Sequence, residues 1–92
     1  MELTGKIKVV GQEKEFGSNQ FKKRELVIVT EDQYPQTVMV EFIQDNTDKL
    51  DNFNVDDQVS IQFSVKGREW INPQGEAKYF NSIQGYNIQY QE

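Results

Sequence analysis

Neither cysteine nor histidine occurs among the 92 residues. The first absence excludes disulfides and thiolate chemistry. The second removes the usual general base near neutral pH and the commonest zinc ligand. With both gone, catalysis would have to rest on carboxylates, lysine or tyrosine, and no such pair is singled out by its setting, so no enzyme is expected. The stretch Asp45 to Asp51 has the density of acids found in calcium loops. It has Lys49 at a liganding position, however, and lacks the required glycine and final glutamate, so neither a metal nor any other cofactor is expected. No apolar run approaches the length of a membrane span. The opening Met1-Glu2-Leu3-Thr4-Gly5 has no basic region followed by an apolar one, so no secretory leader is read and a cytoplasmic setting is expected.

Positive charge is also in short supply. The formal net charge is −5, which argues against indiscriminate binding to phosphate backbones. Its distribution is uneven. Residues 31–57 hold eight acids against the single base Lys49, a local charge of −7, whereas the rest of the chain sums to +2. One side of the molecule is therefore acidic and the remainder weakly basic, a pattern that serves either as a solvated face or as a field for partners.

What is present fits one small globular domain spanning residues 1–92, with 36% hydrophobic and 12% aromatic residues. Five strand-like runs appear. Residues 3–10 alternate Leu3, Ile7 and Val9 against Thr4, Lys6 and Lys8. Residues 11–19 are polar and end in the turn signal Gly17-Ser18-Asn19. Residues 21–30 begin basic and become continuously apolar at Leu26-Val27-Ile28-Val29, a strand covered on both faces over its far half. Residues 37–43 turn Val38, Val40 and Phe42 inward. Asp45 is then placed to cap a short helix, with Leu50 and Phe53 as its buried contacts. Val59, Ile61, Phe63 and Val65 give the cleanest two-residue period in the chain, and a last strand runs from about residue 76 to residue 90. In that strand Ile83 falls out of phase with Tyr86 and Ile88, which predicts a bulge near Gln84-Gly85. The order predicts an all-β fold, a five-stranded OB-fold barrel with a short helix between strands 3 and 4 plugging one end. An SH3-like barrel would not ordinarily place a helix there.

The fourth and fifth strands meet at Asn72-Pro73-Gln74-Gly75. Pro73 presets the first central turn position, and Gly75 accepts the left-handed residue after a type I turn. A three-residue loop at 73–75 then opposes Val65 to Ile83, both expected on the core side. The other face carries Lys66 beside Ser82, Arg68 beside Phe80, and Trp70 beside Lys78. Aromatic faces can stack on any base, and nearby cations can meet phosphates, so the pattern points to sequence-tolerant binding of single strands. A plain cation–π pair at Trp70 and Lys78 is the structural alternative. The basic run Lys22-Lys23-Arg24 offers a second electrostatic track. Strand geometry allows either Lys22 with Arg24, or Lys23 alone, to face the same way.

Residues Val59, Ile61, Arg68, Trp70, Gly75, Lys78, Tyr79 and Ile83 resemble the fourth and fifth strands of bacterial single-stranded DNA-binding proteins. That family shows an alternating V-x-I run reaching R-x-W, a polar turn ending in glycine, then [RK]-Y and a β-branched residue. The resemblance implies that Trp70 stacks on bases and that Arg68 and Lys78 contact phosphates. The whole chain is also similar to an uncharacterised family of short bacterial OB-fold proteins akin to single-strand binders. No acidic, glycine-rich tail follows Tyr90-Gln91-Glu92, so the expectation is a small accessory or phage-like binder. The expected nucleic-acid site is thus Lys66, Arg68, Trp70, Lys78 and Phe80, extended by Lys22 and Arg24. Exposed strand edges make a homodimer or higher homo-oligomer reasonable. The competing function is a protein-interaction or assembly module, with the acidic side docking a basic partner.

Overall fold

The computed structural model, which describes residues 1–18 and 20–91, has six strands and a core of nine buried apolar side chains. The strands are β1 (Glu2–Val10), β2 (Lys14–Phe16), β3 (Phe21–Thr30), β4 (Thr37–Ile43), β5 (Gln58–Ile71) and β6 (Ala77–Tyr90). The sheet runs β1-β5-β6-β4-β3-β2, and β1 also pairs with β3, so five strands close on themselves. The core comprises Ile7, Leu26, Ile28, Val40, Phe42, Leu50, Val59, Ile61 and Ile88. The all-β expectation, its five principal strands and the short helix before the fourth are therefore met.

The sixth strand, β2, departs from the polar turn expected over residues 11–19. Lys14, Glu15 and Phe16 pair with Lys23, Lys22 and Phe21, prolonging the path of β1 past Gly11. All three β2 residues are exposed, so no apolar alternation announces the strand. Asn19 of the expected turn lies outside the described residues. The helix also differs in kind. Gln44–Leu50 is a 3-10 helix whose N-terminus has no side-chain cap, so Asp45 does not play that part. Gln44 instead adopts a left-handed φ of 53°, turning the chain off β4 at once. The Thr47 hydroxyl donates within hydrogen-bond reach of both the Gln44 carbonyl and Glu13 Oε1, each at 2.8 Å. Leu50 seals the core as expected, and Phe53 packs on Tyr90 with ring centroids 4.6 Å apart.

Two inward assignments are corrected. In β1 the register slips between Ile7 and Val9, so Val9 faces out at 46% exposure while Val10 packs against the core. In β5, Val65 does face Ile83, yet it is 56% exposed. The reason is that β5 and β6 outrun the other strands. Each has 14 residues, and β6 touches β4 at a single bridge, Glu41 with Gln84. Beyond that point the hairpin projects as a two-stranded arm with no core beneath it. The radius of gyration records this: 14.8 Å, against about 12 Å for a compact chain of this length.

The bulge in β6 lies beside the expected position. Gln62 pairs with Asn87 and Phe63 with Gly85, leaving Tyr86 as the extra residue. Gly85 is there because Phe42 needs the space: a Cβ at this position would come within 2.4 Å of the ring. The bulge switches the phase of β6, so Ile88 enters the core of the body while the arm keeps its own register.

Candidate nucleic-acid interface

The arm forms by local chemistry. Gly75 donates to the Asn72 carbonyl and Asn72 to the Glu76 carbonyl, both at 2.9 Å, closing the three-residue loop. The Asn72 side-chain oxygen accepts from the backbone N–H groups of Gln74 at 3.0 Å and Glu76 at 2.8 Å. Gly75 holds a φ of 82°, which any side chain would strain. This turn sets the register of both strands back to the body.

That register places Lys66 opposite Ser82, Arg68 opposite Phe80 and Trp70 opposite Lys78. All five candidate residues of the arm therefore share one face. The Arg68 guanidinium lies 5.5 Å from the centroid of the Phe80 ring, a cation–π pair. Trp70 and Phe80 are each 48% exposed, so both rings present apolar surface to solvent. The reverse face is different in character: Val65 and Ile71 stand exposed, and the Tyr79 hydroxyl donates to Glu69 at 3.3 Å.

At the root of the arm, Lys66, Arg68 and Phe80 meet Lys23 of β3 and Glu41 of β4 around an open groove of about 410 Å³. Lys23 Nζ is 3.0 Å from Glu41 Oε1 and 5.9 Å from the centroid of the Phe16 ring. Of the basic run, then, it is Lys23 that joins the arm. Leu26 and Ile28 face the core, so the even-numbered residues Lys22 and Arg24 share that inner side of β3, opposite Lys23. Arg24 is committed there. Its Nε donates to the Gly11 carbonyl at 2.8 Å, and one terminal nitrogen to Asp51 Oδ1 at 2.7 Å and to the Thr47 carbonyl at 3.4 Å. It ties the β1–β2 junction to the helix. Lys22 is linked to the same region through its backbone N–H, 3.4 Å from Gln44 Oε1.

Of the groove residues, Lys23 entered the sequence reading of the site only as the alternative to Lys22 with Arg24, and Glu41 did not enter it. For Lys23 a signal existed, since the phase of Leu26 and Ile28 decides which side each neighbouring base faces. For Glu41 there was none, because its neighbour Gln84 is 43 positions away and paired through one parallel bridge. Among the described residues no three histidine, cysteine, aspartate or glutamate side chains gather as a metal site. No helix there is long and apolar enough to cross a membrane.

The family model described as a domain of unknown function, DUF3127, matches residues 2–89. The chain belongs to this family. No curated protein sequence matches it. In fold this DUF3127 chain is similar to Rim1, the mitochondrial single-stranded DNA binding protein of S. cerevisiae. A crystal structure of Rim1 superposes with a TM-score of 0.69 at 11% identity, over 98% of this chain and 91% of that one. The selenomethionine-labelled form gives 0.68 at 12% identity, with the same coverage. At such identity the likeness is one of fold.

Proposed function

We propose that this protein binds single-stranded nucleic acid, DNA foremost, by stacking bases on Trp70 and Phe80 while Lys66, Arg68, Lys78 and Lys23 meet phosphates. It acts as a binding protein and not as an enzyme. The observation that carries this reading is the one-sided arm, where three cations and two half-exposed rings share one face. Stacking is sequence-tolerant and contributes about 1–3 kcal/mol per base. The likeness in fold to a single-stranded DNA binding protein supports the same reading. Lys22 and Arg24 are left out of the proposed contact set, since Arg24 is bound to Asp51 at the end of the helix and Lys22 shares its face of β3. With few cations and a net charge of −5, binding is modest and salt-sensitive.

The test is a titration of labelled oligo(dT) at low and moderate salt, following the fluorescence of Trp70, the only tryptophan. Quenching is expected, with an affinity that falls as salt rises. Trp70→Ala should lose about 5- to 150-fold, matching one stacked base, whereas Tyr79→Ala on the reverse face should bind like the parent. No quenching or anisotropy change at micromolar protein and low salt would reject the reading.

The interaction-module alternative has one observation in its favour. The reverse face of the arm exposes Val65, Ile71 and Tyr79, and the arm's strand edges have no neighbour within the chain among the described residues. A second copy could add its own arm there. Sedimentation velocity of the parent beside Ile71→Lys measures this directly.

A further inference from the structure

The groove at the root of the arm contains a feature that phosphate binding does not explain. Glu41 lines this groove together with Lys23, Lys66, Arg68 and Phe80. A carboxylate at that place repels a phosphate and cancels one of the few cations the site has. Its side chain is only 16% exposed, so it is held by its surroundings rather than swung into solvent. Its Oε1 receives the Lys23 ammonium at 3.0 Å, which leaves Oε2 without a donor among the described residues.

We propose that Glu41 reads the base stacked on Phe80, selecting bases that carry an exocyclic amino group over thymine or uracil. The proposal rests on the single-strand reading above and adds a preference to it. A flipped-out base presents its Watson–Crick edge to the protein. On cytosine that edge is an N4 amino donor followed by the N3 and O2 acceptors. The groove offers the acceptor that this amino group needs, the Glu41 carboxylate, while Lys66 and Arg68 on the same groove meet the flanking phosphates. Thymine places the O4 acceptor where cytosine has its amino group. Its lone pairs would then face a carboxylate that has no proton to give. A hydrogen bond to a charged acceptor is stronger than a neutral one, and leaving that acceptor facing a lone pair costs more than omitting the contact.

Cytosine and thymine make the sharpest comparison, because ring size, stacking area and backbone are nearly the same. Labelled oligo(dC) and oligo(dT) of equal length are titrated by anisotropy at mildly alkaline pH, where cytosine stays unprotonated. The parent should bind oligo(dC) about five- to tenfold more tightly. Glu41→Gln should bring the two within about twofold, chiefly by raising the affinity for oligo(dT), since an amide can donate to O4 as well as accept from N4. The ratio is the readout, because removing a negative charge strengthens binding to both. Glu25→Gln serves as the control: Glu25 pairs with Glu41 across the strands but does not line the groove. It should raise both affinities and keep the ratio. Equal binding of the two oligomers by the parent, or a preference that survives Glu41→Gln, overturns the role of Glu41 and leaves single-strand binding standing. Absence of binding to either oligomer overturns the underlying reading instead.

Discussion

Replacing Arg24 by alanine should cost stability and spare binding, although its place in a basic run beside two lysines suggests the opposite. The magnitude follows from its three contacts. The Nε bond to the Gly11 carbonyl, at 2.8 Å, is charge-assisted and made by a side chain only 17% exposed, so it contributes about 1.5–3 kcal/mol. The pair with Asp51 is short at 2.7 Å, but that carboxylate is 63% exposed, and water screens it to about 0.2–1 kcal/mol. The contact with the Thr47 carbonyl at 3.4 Å adds little. Together they predict a loss of about 2–4 kcal/mol, or roughly 10–25 °C in Tm for a chain of this size. Urea unfolding followed by far-UV circular dichroism measures the loss, and an oligo(dT) titration well below the lowered Tm measures binding. Asp51→Asn should show only the smaller, screened part. A change in stability below about 0.5 kcal/mol, or an oligonucleotide affinity reduced as strongly as by Arg68→Ala, would refute the assignment of Arg24 to the body of the fold.

Gly85→Ala drives a Cβ to within 2.4–2.9 Å of three atoms of the fully buried Phe42 ring. It should destabilise by about 1–3 kcal/mol, with partial rescue by Phe42→Leu in a double-mutant cycle. Asn72→Ala removes the acceptor for two backbone donors at the arm's tip, so hydrogen exchange there should quicken while the unfolding midpoint of the body moves little. In single-strand titrations, Lys66→Ala and Arg68→Ala should each flatten the plot of log K against log salt by about 0.7, one phosphate contact apiece.

The fourth and fifth strands were legible because their determinants are local. Proline, asparagine and glycine at 72–75 specify the loop, the loop specifies the register, and the register puts Arg68 beside Phe80. The phase break around Gly85 was visible for the same reason. Failures came where a distant element decides. Nothing near Val65 records that its strand has outrun the core, and nothing near Val9 records the slip against β3. The strand Lys14–Phe16 is exposed on both faces and leaves no period to detect.

Sequence alone determined the order of strands, the hairpin turn and the one-sided set of Lys66, Arg68, Trp70, Lys78 and Phe80. Each follows from the two-residue period and from turn chemistry acting over a few positions. The phase of Leu26 and Ile28 separates Lys23 from Lys22 and Arg24, but only the tertiary structure decided what each of these cations meets. Closure of the sheet turned Arg24 toward the helix, brought Lys23 and Glu41 to the root of the arm, and left the arm itself without a core beneath it. Those outcomes depend on the pairings of β1 with β3 and of β4 with β6, each between strands separated by other elements of the chain.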